Sequence, residues 1–227
     1  MIEIKHLTKK FGDVSVVDDI SMTFEHGMIY GLVGRNGSGK TMLMKHILGF
    51  VHATAGSILV DGKEIGKDID LPQNIGAIIE NPGFLPEYSG MKNLKLLAMI
   101  RGRIGREEVQ QAMHMVGLDP ASKKHVGKYS LGMKQRLGLA QALMEDPEIL
   151  LLDEPMNGLD NEGVREIREI LLQQKEKGKI LVIASHNKED IDVLCDEIFY
   201  LDKGKVIRHS VKTDNRREAE ENAQEKQ

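Results

Sequence analysis

Apolar positions along this chain switch repeatedly between a period of two and a period of three to four, and their order predicts an α/β fold. Ile2-Glu3-Ile4 alternates, as does Ile20 to Phe24 before the turn at Glu25-His26-Gly27, and Gly12-Asp13 signals a turn between them. Met28 to Val33 is a continuous apolar run of strand type. Thr41 to Leu48 then reads as a helix, with Leu43, Met44, Ile47 and Leu48 on one side and Gly49 as its stop. Ser57–Val60 and the residues after Asp61-Gly62 predict a hairpin, and Asn74 to Ile79 predicts a buried strand.

From residue 82 to 143 the pattern is helical, through Met91–Ile100, Glu107–Val116 and a longer helix from about Ser130. The alternation then resumes as strand Ile149–Leu152, helix Val164–Lys177, strand Ile180–Ala184 and helix Lys188–Cys195. A hairpin of Ile198–Leu201 and Lys205–Ile207, turning at Asp202-Lys203-Gly204, follows. Ile149–Leu152 and Ile180–Ala184 are apolar throughout, as parallel strands covered on both faces are. The expected organisation is one domain over 1–211, with a core of 1–81 and 144–211 and a helical insert at 82–143. The polar, charged stretch 212–227 predicts a disordered tail.

Chemistry enters at Gly34-Arg35-Asn36-Gly37-Ser38-Gly39-Lys40-Thr41, a glycine-rich turn between a strand and a helix. Its spacing is that of a phosphate-binding loop. Glycines let backbone N–H groups approach a phosphate, and the helix N-terminus adds a positive field. Lys40 supplies a cation for β- and γ-phosphates, and the Thr41 hydroxyl a ligand for Mg²⁺. Asp153 and Glu154 follow a buried strand, the sheet edge at which α/β proteins bind ligands. Asp153 is the expected second Mg²⁺ partner and Glu154 the expected general base toward water. Ser185-His186 ends another apolar strand, which brings His186 to the same crevice as a sensor of the γ-phosphate. Ser130 is a natural N-cap, and Gly132 in the next turn allows close backbone approach to a ligand.

Composition narrows the options. The chain has 227 residues, a formal net charge of -4 and 4% aromatic residues without tryptophan. Neither the charge nor the aromatic content favours nucleic-acid binding. No apolar run approaches the roughly 18 residues of a membrane span. The N-terminus reads as a strand, not a leader, and the single Cys195 as a core thiol, which together predict a reducing, cytosolic setting.

Taken in order, the phosphate loop, helical insert, Ser130-Leu131-Gly132, Leu150-Leu151-Leu152-Asp153-Glu154, Asn157-Gly158-Leu159-Asp160 and Ser185-His186 resemble the ATP-binding-cassette family over residues 2–208. The resemblance implies a P-loop NTPase (RecA-like) core with a mostly parallel sheet, an N-terminal antiparallel β subdomain and an inserted helical subdomain. It implies an ATPase working as a head-to-tail homodimer, or paired with an equivalent second subunit, on the cytoplasmic face of a membrane beside a separate permease. Ser130 and Gly132 would then cap ATP on the opposite subunit, Asp160 would lie between the two sites, and Phe11 would stack on adenine. Two departures stand out. The usual Leu-Ser-Gly-Gly-Gln is here Tyr129-Ser130-Leu131-Gly132-Met133, and a glutamine ahead of the insert is here Glu80, expected to face Mg²⁺. Both are similar to the subfamily that exports lantibiotics, bacitracin and related antimicrobial peptides. Export of another drug or lipid-like substrate, a soluble cassette acting on ribosomes or DNA, and a phosphoryl-transferring kinase are the alternatives.

Overall fold

The computed structural model describes residues 1–80 and 83–212. Asn81 and Pro82, where the insert is expected to begin, and the tail from 213 to 227 lie outside the described residues.

Strands β1 (Ile2–Phe11) and β2 (Val14–Phe24) form a long hairpin turning at Gly12-Asp13. Both strands are longer than the alternation predicts. The register shifts between Ile4 and Leu7, between Leu7 and Lys9 and between Lys9 and Lys10. His6 and Asp19 have φ of 50° and 54°. Such bulges place extra residues in a strand and break its period of two. Strands β3 (Ile29–Val33), β4 (Ala55–Val60) and β5 (Lys63–Glu64) follow. The β4–β5 turn holds Asp61 and Gly62 at φ 49° and 77°, the pair of positive angles that a tight hairpin turn requires. An antiparallel sheet in the order β2-β1-β4-β5 results.

The second sheet joins β3 to β6 (Ile75–Ile78), β7 (Ile149–Asp153), β8 (Ile180–Ala184), β9 (Glu197–Asp202) and β10 (Lys205–Val211). Its order is β10-β9-β3-β8-β7-β6, parallel except for the β9–β10 hairpin. In β7, Ile149 and Leu151 join one hydrophobic core while Leu150 and Leu152 join the other, so the strand is buried on both faces as expected. Strand β6 corrects the sequence reading: it is an edge strand, and Ile75 and Ala77 are only half-buried. A short apolar run does not distinguish an edge strand from a central one.

Six α-helices complete the described domain: α1 (Lys40–Ile47), α2 (Gly90–Arg101), α3 (Arg106–Met115), α4 (Leu131–Leu143), α5 (Asn161–Glu176) and α6 (Lys188–Leu194). Ser89, Ser130, Asp160 and Asn187 each accept a backbone N–H at the start of α2, α4, α5 and α6. The cap at Asp160 starts α5 three residues before the predicted Val164. Helix α6 stops at Leu194, with Cys195 already extended. Helices α2, α3 and α4 lie between β6 and β7 in sequence, and bury Leu94, Val109, Met113 and Leu137 in one of the two cores. No described helix is long and apolar enough to cross a membrane.

Candidate active site

The C-terminal ends of the parallel strands β3, β7 and β8 meet at one crevice, and the glycine-rich loop, Asp153 and Glu154 gather there. The loop after β3 curls over its own lysine. Lys40 is only 8% exposed, and its Nζ donates to the carbonyls of Gly34 at 2.7 Å and Arg35 at 3.2 Å. Gly39 has φ 108°, and a Cβ there would stand 3.0 Å from the Val16 carbonyl, so this position needs glycine. The free N–H groups of the first turn of α1 open beside it, a ready anion site. Asn36, Gly37, Ser38, Gly39, Lys40 and Thr41 line a cleft of about 590 Å³, within the range of small-molecule sites.

The acidic wall faces this loop. Thr41 Oγ1 donates to Asp153 Oδ2 at 2.7 Å. Burial raises the Asp153 pKa, the Thr41 hydrogen bond opposes the shift, and the neighbouring Glu154 charge adds to it. A cation would relieve that desolvated carboxylate. Among the described residues no three His, Cys, Asp or Glu side chains form a metal cluster. A hydroxyl and a carboxylate suit a hard cation such as Mg²⁺, which takes few protein ligands and completes its shell with phosphates and water. The residues therefore fit Mg²⁺ held together with a nucleotide.

Glu154 follows directly, in a left-handed backbone conformation at φ 50°. Its N–H continues the ladder to Ala184 O at 2.8 Å. Its Oε1 lies 2.7 Å from His186 Nδ1 and accepts from the His186 backbone N–H at 3.1 Å. Ser185 Oγ stands 3.5 Å from the other carboxylate oxygen. The segment after β8 thus holds the carboxylate that the turn after β7 presents.

Glu80 lines the cleft, and its Oε1 is 2.6 Å from Lys45 Nζ. Lys45 lies one helical turn after Thr41 on α1, an i, i+4 relation that marks it as facing the same crevice. Sequence reading missed Lys45, and it also missed Val16, Gln135 and Asn157, which line the cleft. Gln135 and Val16 carry no sequence signal, since only the tertiary fold brings α4 and β2 to the loop.

Ser130, Gly132, Asp160 and Phe11 are not among the described residues lining the cleft. Ser130 accepts from Met133 N at 3.2 Å and Asp160 from Gly163 N at 2.8 Å, each as a helix cap. Phe11 ends β1 opposite Val14; the residue is 53% exposed, and Lys9 Nζ stands 4.9 Å from its ring centroid. Val16, two residues beyond Val14 on β2, reaches the cleft, so the hairpin borders it.

A family model described as ABC transporter matches residues 17–157. The chain is 47% identical over 206 residues to the uncharacterized ABC transporter ATP-binding protein YybJ of Bacillus subtilis (strain 168), covering 91% of this chain and 94% of that one. It is 42% identical over 209 residues to the bacitracin transport ATP-binding protein BcrA of Enterococcus faecalis, covering 91% and 68%. It is 38% identical over 207 residues to the lantibiotic transport ATP-binding protein SrtF of Streptococcus pyogenes, covering 91% and 89%. Its fold matches the dimeric structure of MJ0796, a bacterial ABC transporter cassette, with a TM-score of 0.84 at 23% identity, over 94% of this chain and all of that one.

Proposed function

Because the chain belongs to the ABC transporter family and is an ATPase of that family, we propose that it powers export of an antimicrobial peptide through a separate membrane permease. The observation that carries the catalytic part is Glu154, held by His186 across the crevice from Lys40. Lys40 and the N–H groups around it bind the β- and γ-phosphates of ATP. Thr41 and Asp153 would hold Mg²⁺ with Glu80 beside them, and the cation would offset the charge of the phosphates. Glu154 accepts a proton from water as the water oxygen attacks the γ-phosphorus, giving ADP and phosphate. His186 fixes the orientation of that carboxylate and would sense the γ-phosphate from there.

Ser130 and Gly132 stand away from their own chain's cleft, which supports a head-to-tail pair in which each caps ATP on the opposite subunit. Asp160 then lies between the two sites, and Phe11 offers an exposed ring to adenine at the border of the cleft. The absence of a spanning helix among the described residues agrees with a partner that supplies the membrane path. That partner would hold the chain at the cytoplasmic face. Peptide export rests on the bacitracin and lantibiotic relatives, together with Glu80 and the Ser130-Leu131-Gly132 sequence.

Survival of cells carrying the complete transporter, challenged with bacitracin and with a lantibiotic, tests this reading. Protection by the wild type and its loss in Glu154→Gln are expected. An active ATPase that protects against neither peptide would remove the peptide assignment and leave the enzyme.

A further inference from the structure

Helix α4 carries Ser130 and Gly132 at one end, yet its next turn reaches the catalytic carboxylate of its own chain. Gln135 Nε2 donates to Glu154 O at 3.1 Å and to Pro155 O at 3.0 Å, which uses both amide hydrogens. Glu154 O also accepts from Asn157 N at 3.1 Å. Gln135 therefore clamps the turn that leaves β7 at the point where the backbone is strained. A non-glycine residue at φ 50° persists only where its surroundings hold it.

Two further side chains make α4 a rigid support for that clamp. Leu131 packs over Gly158, where a Cβ would stand only 2.4 Å from Leu131 Cγ. Arg136 donates to Val116 O at 2.7 Å and pairs with Glu166 of α5 at 2.6 Å. The start of α4 is thus tied to the turn after β7 on one side and to α5 on the other.

We propose that Gln135 is a positioning residue for the ATPase reaction. It holds the Glu154 main chain in the conformation that presents the carboxylate to water, and so links the base to the helix bearing Ser130. This rests on the ATPase reading given above. Gln135 touches no reacting atom in this role, so its removal changes turnover and spares nucleotide binding.

The test uses the full chain with Gln135→Leu, which keeps bulk and loses both donors, and Gln135→Glu, which keeps shape but presents an acceptor to two carbonyls. Each is made alone and combined with Glu154→Gln. A fall of about tenfold or more in kcat is expected for both single variants, the scale of a displaced catalytic group. The KM for ATP should stay within about twofold, the melting temperature should fall by only a few degrees, and no further loss of single-turnover hydrolysis should appear on the Glu154→Gln background. A wild-type kcat in the folded single variants overturns the proposal. So does an equal fold-loss with and without Glu154, which would mark a general structural role. Should Gln135→Leu lose its fold, Gln135→Glu decides by the same readings. If Glu154→Gln itself hydrolyses ATP at the wild-type rate, the base assignment fails and this inference falls with it; a slow Glu154→Gln beside an unaffected Gln135→Leu sinks this inference alone.

Discussion

His186 grips Glu154 twice: its Nδ1 lies 2.7 Å from Oε1, and its backbone N–H donates to the same oxygen at 3.1 Å. The two grips separate under mutation, because the backbone bond survives loss of the ring. His186→Ala is expected to lower ATP turnover by about tenfold to a hundredfold, and Glu154→Gln by about a hundredfold or more, the range of acid–base contributions. Steady-state phosphate release measures both. A His186→Ala loss greater than that of Glu154→Gln would give the imidazole a role beyond holding the carboxylate.

Lys40→Ala should abolish hydrolysis and weaken nucleotide binding, since the loop closes around that ammonium. Fluorescent-nucleotide titration alongside turnover checks this. Wild-type affinity in the variant would place the phosphates elsewhere.

Mixing Lys40→Ala chains with Gly132→Asp chains should restore activity that neither has alone, because one composite site per mixed dimer keeps an intact loop and an intact Ser130 face. A Cβ at Gly132 would already stand 2.8 Å from Gly158 O, so aspartate there disturbs that face. Demonstrated mixed dimers with no recovered activity would refute the head-to-tail arrangement.

Glu80→Gln breaks the 2.6 Å pair with Lys45, but the Glu80 side chain is 64% exposed. An exposed pair of this kind stabilises a protein by about 1 kcal/mol or less, so the melting temperature should hold. ATPase activity is expected within about tenfold of wild type, because Thr41 and Asp153 remain. Peptide survival should fall further than hydrolysis, since the segment bearing Glu80 leads on to α2. Equal losses in both assays would make Glu80 a ligand and nothing more.

His46 gives stability a pH dependence. It is 1% exposed, its Nδ1 bonds the Val51 carbonyl at 2.7 Å, and its buried Nε2 has no hydrogen-bond partner. Burial lowers its pKa below the ordinary 6.5 and Lys9 and His52 lower it further, while the Val51 bond opposes the shift. The unfolded chain then takes up a proton first as pH falls. The contribution of neutral His46 is fully present above pH 6.5, and is lost as pH drops through 6.5 toward the depressed native value. Urea midpoints at pH 7.5 and 5.5 should drop more for the wild type than for His46→Gln. Parallel drops would assign the acid sensitivity to other groups.

The phosphate loop and the Asp153-Glu154 pair were legible because their chemistry is written in consecutive residues flanked by clear strands and a helix. Their meeting was legible too, since parallel strands deliver their C-terminal ends to one edge. Gln135 was not, because its partners are carbonyls on a turn that sequence does not place against α4. Lys45 was within reach of an i, i+4 argument from Thr41. The lengths of β1 and β2 were hidden by bulges, and the edge position of β6 by the likeness of short apolar runs wherever they lie in a sheet.

Strand β7 sends alternate side chains into separate cores, and β8 does the same with Leu181 and Ile183 on one side and Ile180, Val182 and Ala184 on the other. Neither core can therefore come apart while the other stays intact, and heat should melt the domain in a single calorimetric transition. The amides of β7 and β8 should be the last to exchange with deuterium, opening only with the whole domain. On that expectation Asp153 and Glu154 are mounted at the end of the slowest-exchanging strands, and whatever moves during turnover would move around them.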